Sequence, residues 1–334
     1  MRQINLAPRE LRFRAQPGAD TIHAELLAGL TANPKHLPAK YFYDERGSQL
    51  FDLICEQPEY YLTRTEIGIL RACATEVADL IGRRCTLIEL GGGASRKVRL
   101  LLDELRPQHY FGIDISRDFL LQALRDLSLD YPWLHVSPIC ADFTQTFELP
   151  ALAGPPRLVF FPGSTIGNFE PAEAADFLRR IRGLLDDGDA LLIGVDLKKD
   201  PQVLHRAYND EAGITAEFNL NLLHRLRREF DADIDPQRFE HLAFYYKALG
   251  RIEMHLVSRC EQAVEIRGTS IGFVPDESIH TENSYKYGME EFRTMSRDAG
   301  FSDDKTWTDA ENLFSVHYLA CRGGKGTSAD TRRM

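Results

Sequence analysis

The sequence has little of what marks a secreted, membrane-bound or nucleic-acid-binding protein. Its 334 residues carry a formal net charge of -10, which disfavours nucleic acids and anionic membranes as main partners because both favour basic surfaces. It has no run of about 18 apolar residues, and its N-terminus lacks the apolar segment of a signal peptide. The 6 cysteines include no C-x-x-C pair, which argues against a zinc site or a disulfide framework. We therefore expect a cytoplasmic protein in a reducing compartment.

Several common catalytic signatures are also missing. The sequence contains no H-E-x-x-H, no G-x-S-x-G and no phosphate-binding G-x-x-x-x-G-K-[ST] motif. Its ten histidines are dispersed along the chain. These absences disfavour metalloproteases, hydrolases with a nucleophile elbow and P-loop enzymes.

The most informative motif is a strand that ends in glycines. The run Glu89–Gly93 follows the apolar residues Thr86–Ile88, and Asp114 ends the next apolar segment. Glycines at a strand end let backbone approach a ligand, and the acid can accept hydrogen bonds from ribose hydroxyls. A dinucleotide fingerprint requires a third glycine, but Arg96 stands at that position. The glycine-ended strand and Asp114 together suit S-adenosylmethionine. Binding of another nucleotide, or a strand-turn-helix corner that binds no ligand, stays an alternative.

Apolar segments alternate with amphipathic ones in the first two thirds of the chain. Strands are predicted at Thr86–Leu90, Tyr110–Asp114, His135–Ala141, Arg157–Pro162 and Ala190–Leu197, and helices at Lys97–Leu105, Arg117–Leu129 and Pro171–Leu185. This alternation predicts an α/β fold with a mostly parallel sheet covered by helices on both faces.

The alternation stops after the fifth strand. Residues 201–235 have a helical pattern, and Glu253–Ser258 with Gln262–Ile266 predict a hairpin. A helix at Met289–Ala299 and a strand at Ser315–Cys321 follow. We expect the inserted segment and the N-terminal segment to form a second domain that covers the ligand crevice.

Polar residues follow the predicted strands where ligands bind in open α/β sheets. Asp142 and Phe143 come after the third strand, where they could bond an adenine amino group and cover its ring. Asn168 follows the fourth strand within Pro162–Phe169. Asp142 or Asn168 could also cap a helix, so neither position alone indicates a ligand.

Longer motifs resemble a known family. They are residues 37–51 (LPAKYFYDERGSQLF), 58–66 (PEYYLTRTE), 161–169 (FPGSTIGNF), 208–210 (YND), 218–221 (FNLN) and 281–284 (TENS). Over about residues 16–321 the chain is similar to the histidine-specific, S-adenosylmethionine-dependent N-methyltransferases of ergothioneine biosynthesis. That family converts L-histidine to its trimethyl betaine, hercynine.

The resemblance implies a class I methyltransferase (Rossmann-like) domain and a second, smaller α+β substrate-binding domain. The first would comprise residues 62–198 and 287–322, and the second residues 8–61 and 199–286. Residues 323–334 would form a flexible tail. S-adenosylmethionine would be the co-substrate, with no metal, and the protein would be a monomer whose partner is the small molecule L-histidine.

The resemblance also implies individual roles. Cofactor-binding residues would be Tyr43, Gly91, Lys97, Asp114, Asp142 and Phe143. Substrate-binding residues would be Tyr60, Asn168, Tyr208, Met254, Glu282 and Ser284, of which Tyr60, Asn168 and Tyr208 would act at the reacting amino acid. Glu282 and Ser284 would hold the imidazole, since a carboxylate accepts from one ring N–H and a hydroxyl can serve the other nitrogen.

Three alternatives stay open. The chain could methylate another amino acid or amino-acid derivative, it could bind S-adenosylmethionine without turnover, or it could be a dinucleotide-dependent oxidoreductase. The Glu282 and Ser284 pair favours histidine over a tryptophan-type substrate, and the missing third glycine disfavours the oxidoreductase.

Overall fold

The computed structural model describes residues 19–93, 96–145 and 154–322. Its α-helices are α1 (Ala19–Thr31), α2 (Glu45–Ile54), α3 (Tyr61–Ile81), α4 (Arg99–Leu105), α5 (Arg117–Asp130), α6 (Pro171–Leu184), α7 (Pro201–Ala207), α8 (Ile214–Phe230) and α9 (Met289–Asp298). Short 3-10 helices span Ala39–Phe42, Thr165–Asn168 and Pro236–Arg238.

The strands form three sheets within these ranges. They are β1 (Lys35–His36), β2 (Thr86–Leu90), β3 (His109–Asp114), β4 (His135–Cys140), β5 (Arg157–Phe161), β6 (Ala190–Asp196), β7 (Phe239–Tyr246), β8 (Arg251–Ser258), β9 (Gln262–Ile266), β10 (Thr269–Phe273), β11 (Ser278–Tyr285), β12 (Ser302–Thr308) and β13 (Phe314–Ala320).

The large sheet has the strand order β12-β13-β6-β5-β2-β3-β4. Strands β2 to β6 pair in parallel, whereas β13 runs antiparallel to both β6 and β12. All residues of β2 and β6 are buried, because helices cover both faces of a parallel sheet. This order with one antiparallel strand near the edge is the class I methyltransferase sheet, so the predicted α/β fold class is confirmed.

A smaller, mostly antiparallel sheet has the order β1-β11-β8-β7. The predicted hairpin is wrong, because β8 pairs with β7 and β11 while β9 pairs with β10. Strand periodicity indicates that two segments are extended, but it does not specify their partners. The structure adds β12, which the sequence analysis did not predict, next to the predicted final strand.

The predicted strands and helices of the large sheet agree with the structure within a residue or two at their ends. The division into two domains stays a prediction, and the predicted tail at 323–334 lies outside the described residues. No helix in the described part of the chain is both long and apolar enough to cross a membrane.

Candidate active site

A large cavity of about 1060 Å³ lies where the parallel strands end and the small sheet faces them. It is lined by all twelve residues that the sequence analysis selected: Tyr43, Tyr60, Gly91, Lys97, Asp114, Asp142, Phe143, Asn168, Tyr208, Met254, Glu282 and Ser284. The structure therefore brings the candidates together, although their individual roles stay predictions.

The glycine loop after β2 holds Asp114 in place. Gly91 has a φ of 79°, in the region that glycine tolerates best. The backbone N–H of Gly93 donates to Asp114 Oδ2 at 3.1 Å, and that of Ser116 donates to Oδ1 at 2.8 Å. A Cβ on Gly93 would lie 2.8 Å from the Phe119 ring, so the close approach requires glycine. Each carboxylate oxygen keeps lone pairs that can accept from a ribose hydroxyl.

Burial raises the pKa of Asp114 to about 6, against the lowering effect of its backbone hydrogen bonds. A neighbouring acid behaves similarly, because burial raises the pKa of Glu89 to about 7 while a hydrogen bond from the Tyr110 hydroxyl lowers it. Two weakly acidic carboxyl groups thus lie beneath the glycine loop.

Lys97 is already paired within the protein. Its ammonium contacts the carboxylate of Glu66, whose side chain on α3 is completely buried. The N–H of Gly163 donates to both Glu66 oxygens at 3.0 Å. The Glu66 carboxylate thus holds the Lys97 ammonium between the ends of β2 and β5. The remaining N–H groups of Lys97 can still donate to a ligand carboxylate.

Asp142 and Phe143 follow β4, as the order of segments predicts. Thr144 donates to Asp142 Oδ1 through its backbone N–H at 2.9 Å, so the acid closes a tight turn. Phe143 packs edge-on against Phe161, with 5.6 Å between the ring centres. The polar edge and the aromatic face beside it fit a purine ring.

The opposite end of the cavity is built from β8 and β11. Met254 pairs with Glu282 across these strands, and Glu282 and Ser284 share one face of β11 because side chains alternate along a strand. Burial raises the pKa of Glu282 to about 7, although the Lys286 ammonium lowers it. No hydrogen bond contributes to the pKa of Glu282.

Tyr208 and Ser284 form a buried polar cluster behind this wall. The Tyr208 hydroxyl and the Ser284 hydroxyl share a hydrogen bond, with 2.8 Å between their oxygens. The Lys286 ammonium donates to Ser284 Oγ at 2.8 Å and to the Tyr208 oxygen at 3.0 Å. It also pairs with Asp196 Oδ2 at 2.8 Å, and both side chains are fully buried.

Aromatic rings form another part of the cavity wall. Tyr60 packs edge-on against Phe51 and Tyr208, with 6.3 Å between ring centres in both pairs. Tyr43 packs edge-on against Phe51 and Phe218. Burial raises the pKa of Tyr43 and Tyr60 well above the usual value and also raises that of Tyr208. These hydroxyls therefore stay protonated at neutral pH.

Asn168 ends the 3-10 helix that follows β5. A Cβ on Gly167 would lie 2.7 Å from the backbone oxygen of Tyr285, so glycine allows this turn to touch β11. The contact places Asn168 on the cavity wall between the two ends of the site.

Sequence reasoning gave no role to Glu66, Asp196 or Lys286. Glu66 lay within a motif that carried the resemblance, and Lys286 has a signal of its own. It continues the alternation of Glu282 and Ser284 one residue beyond the end of β11, so that polar residues stand at every second position from 282 to 286. A polar face of that kind is typical of a strand that faces a solvated cavity.

One group in the described part of the chain offers three possible metal-ligand atoms within 4.8 Å of one another: Glu253, His255 and His280. None of the three lines the cavity. The Arg251 guanidinium pairs with Glu253 at 2.6 Å, and this neighbouring positive charge opposes a bound cation.

Comparison with known proteins adds a family. The profile of the family described as histidine-specific, S-adenosylmethionine-dependent methyltransferases matches residues 22–321. The chain is 40% identical over 309 residues to a histidine N-alpha-methyltransferase of Mycolicibacterium smegmatis, which covers 90% of this chain and 95% of the relative. It is 39% identical over 306 residues to the enzyme of that name from Mycobacterium tuberculosis, with coverages of 90% and 94%. A 4-dimethylallyltryptophan N-methyltransferase of Claviceps purpurea is 28% identical over 325 residues, with coverages of 89% and 94%.

Proposed function

The chain belongs to the family of histidine-specific, S-adenosylmethionine-dependent methyltransferases, and we propose that it transfers three methyl groups to the α-amino group of L-histidine, giving hercynine. The observation that carries this proposal is the cavity itself. It is lined at one end by a half-buried carboxylate and a hydroxyl, Glu282 and Ser284, and at the other end by the glycine loop after β2 and by Asp114 at the end of β3. A histidine whose imidazole lies at Glu282 and Ser284 would then have its α-amine towards the middle of the cavity.

The cofactor end fits S-adenosylmethionine. Asp114 would accept from the ribose hydroxyls, Phe143 would cover the adenine, and Lys97 would pair with the methionine carboxylate. Gly91 would let backbone approach the ligand, and Tyr43 would close the pocket from the side of the small sheet. When bound, S-adenosylmethionine supplies an electrophilic methyl group on its sulfonium.

The substrate end fits the imidazole ring. The Glu282 carboxylate would accept from one ring N–H, and Ser284 would serve the other nitrogen. Met254 would pack against the ring. A site that satisfies both nitrogens discriminates against side chains that leave these groups unpaired.

The α-amine needs a lone pair to attack a methyl group in line. The raised pKa values of Tyr60 and Tyr208 oppose a tyrosinate base, so we infer that the amine loses its proton to water. Asn168 and Tyr208 would hold the α-carboxylate, and Tyr60 would lie beside the amine. Positioning and removal from water then supply most of the rate.

The third transfer ends the series chemically, because a quaternary nitrogen has no lone pair. The aromatic wall around Tyr60 suits the fixed positive charge of this product, since ring faces attract cations. The same wall packs against the hydrocarbon part of the substrate at every stage.

The decisive experiment incubates purified protein with S-adenosylmethionine and each of the twenty amino acids, and measures products by mass spectrometry. We expect histidine alone to gain one, two and three methyl groups. An Asp114→Ala variant is the matched negative control. Methylation of another amino acid in preference to histidine would show that histidine is not the substrate. Absence of turnover with all twenty amino acids would favour a protein that binds S-adenosylmethionine without catalysis.

We also infer the setting of the reaction. All six cysteines are free thiols, the state that a reducing compartment maintains, so we place the protein in the cytoplasm. We propose that no metal takes part, that the protein acts as a monomer, and that the small sheet belongs to a substrate-binding domain. Activity that survives a chelator and a monomeric mass in solution would support the first two of these proposals.

A further inference from the structure

The turn that carries Tyr208 is attached to β7, at the edge of the small sheet. Tyr208 follows helix α7 directly and lines the cavity. Nε2 of His241, on β7, lies 3.0 Å from the backbone oxygen of Tyr208. The last carbonyl groups of a helix have no donor within the helix, so a side chain that donates to one of them fixes the end of the helix.

A second hydrogen bond holds the same turn. Nδ2 of Asn209 donates to the backbone oxygen of Ala243 at 3.1 Å. Ala243 lies two residues beyond His241 on β7 and pairs with Met254 of β8, which lines the cavity. The strand that holds the Tyr208 turn is therefore paired with a strand of the cavity wall.

The surrounding atoms fix the direction of the hydrogen bonds of His241. A backbone oxygen can only accept, so His241 must carry a proton on Nε2. Its other ring nitrogen, Nδ1, lies 2.9 Å from Nδ2 of Asn219 on α8. The same Nδ2 donates to the backbone oxygen of His255 at 2.9 Å, and a reversed amide would set two oxygens against each other. Nδ1 of His241 therefore accepts from Asn219.

His241 is thus a neutral ring with its proton on Nε2. A proton on Nδ1 would set an N–H against the amide N–H of Asn219 and leave a buried donor without an acceptor. Asn219 is fully buried, and its Oδ1 lies 2.8 Å from Oγ1 of Thr281. Burial also lowers the pKa of His241, although the hydrogen bond to Tyr208 raises it.

We infer that His241 is a positioning residue for the substrate: by holding the backbone of Tyr208, it sets the Tyr208 hydroxyl where the α-carboxylate binds. His241 itself does not line the cavity. The inference rests on the proposed function, because that function assigns the α-carboxylate to Tyr208. It adds a residue that affects the substrate only through the backbone of another residue.

The test compares two substitutions of His241 that each keep one of its two hydrogen bonds. In His241→Asn, the amide oxygen can replace Nδ1 as the acceptor for Asn219, but the side chain is too short to reach the Tyr208 oxygen. In His241→Gln, the amide nitrogen can reach the Tyr208 oxygen in place of Nε2, and the acceptor for Asn219 is lost. Calorimetry measures histidine binding with saturating S-adenosylhomocysteine, which prevents methyl transfer.

We expect His241→Asn to raise the Kd for histidine roughly tenfold, because the Tyr208 hydroxyl is then misplaced for a charged acceptor. His241→Gln should stay within about threefold of the wild type. The matched control is His205→Asn, at an exposed histidine of α7, which should bind histidine as the wild type does. The KM for S-adenosylmethionine should be the same in all three variants, since Tyr208 lies at the substrate end of the cavity.

A double-mutant cycle separates positioning from a general effect on the fold. Tyr208→Phe keeps the backbone oxygen that His241 contacts but removes the hydroxyl. In that background, His241→Asn should change the Kd for histidine by less than about threefold. A general loss of structure would give the same factor in both backgrounds.

An unchanged Kd in His241→Asn, an equal rise in His241→Gln, or the same factor in both backgrounds would overturn the inference. If His241→Asn does not fold, His241→Leu takes its place with the same expected factors, because it also lacks a donor for the Tyr208 oxygen. A wild type that does not bind histidine would reject the proposed function and this inference together. A wild type that binds histidine and gives any of the three contrary results would reject this inference alone.

Discussion

The carboxylate of Glu66 and the ammonium of Lys97 form an ion pair at the inner edge of the cavity, and Glu66 is completely buried. The pair joins helix α3 to the loop that follows β2. It also receives a backbone hydrogen bond from Gly163, beyond the end of β5. The position of the proposed carboxylate-binding lysine is therefore set by a residue on another element.

Replacing Glu66 by Gln should destabilise the protein. The change keeps the shape of the side chain but leaves the largely buried Lys97 without its counter-charge, so we expect a loss of about 2–3 kcal/mol in the free energy of unfolding. Urea denaturation measures it. The control is Glu56→Gln, which removes an exposed pair with Arg96 and should cost less than about 0.5 kcal/mol. Equal effects of the two substitutions would contradict a structural role for the buried pair.

Position 194 should require glycine, because the Glu66 carboxylate occupies the space that a side chain there would need. A Cβ on this residue of β6 would lie 2.0 Å from Glu66 Oε1, so Gly194→Ala should displace the carboxylate and lower the free energy of unfolding by about 2 kcal/mol or more. The cost should be smaller in a Glu66→Ala background, which removes the clashing atom. Additive effects in this double-mutant cycle would show that the two residues do not interact.

Replacing Asp114 by Ala should impair cofactor binding. The loss of two hydrogen bonds to a charged acceptor predicts an affinity for S-adenosylhomocysteine that is weaker by roughly 100-fold, measured by calorimetry. In the wild type, affinity should also fall as the pH drops below the Asp114 pKa of about 6, where the carboxyl becomes protonated. Asp118→Ala, at an exposed position on α5, is the control and should bind as the wild type does. Intact affinity in Asp114→Ala would refute the ribose assignment.

Replacing Glu282 by Ala should relax substrate selection. An imidazole N–H would lose its acceptor, so the KM for histidine should rise roughly tenfold or more. Steady-state kinetics with histidine and with other amino acids measure both the loss and the change in preference. Glu290→Ala, an exposed acid on α9, provides a control. Unchanged discrimination between histidine and other amino acids would exclude Glu282 from ring recognition.

Glu282 should also lower stability at neutral pH. Burial raises its pKa from 4.5 to about 7, so its contribution to stability is complete below pH 4.5 and is lost as the pH rises through 7. Glu282→Gln, which resembles the protonated acid, should therefore be more stable than the wild type by about 3 kcal/mol near pH 8 and by less than about 1 kcal/mol near pH 5. Thermal or urea unfolding at both pH values tests the sign, and a variant less stable near pH 8 would contradict it.

The large sheet was predictable because buried parallel strands such as β2 and β6 are continuous apolar runs between amphipathic helices. The small sheet was harder. Strand β11 faces a polar cavity, so Glu282 and Ser284 within it, with Lys286 just beyond its end, looked like a mixed, irregular segment rather than a strand.

The predicted site residues meet in one cavity, and all of them except Met254 follow strand ends or lie within the motifs that carried the family resemblance. The residues that support them were not predictable in the same way. Glu66 requires a glycine at position 194, and Lys286 requires the counter-charge of Asp196. Both needs arise from contacts between segments that are distant in the sequence, which no local sequence pattern shows.

The end of β11 is fastened to the end of β6. The backbone N–H of Tyr287 donates to the backbone oxygen of Asp196 at 3.0 Å, and the backbone N–H of Lys198 donates to the backbone oxygen of Tyr287 at 3.0 Å. The Lys286 ammonium also forms an ion pair with the Asp196 carboxylate. A bulkier substrate ring cannot be admitted by moving this wall outward, since the backbone of both sheets would have to separate. Selection of a different substrate ring would then depend on exchanging side chains that line the cavity, and Met254, which pairs with Glu282 across β8 and β11, is one of them.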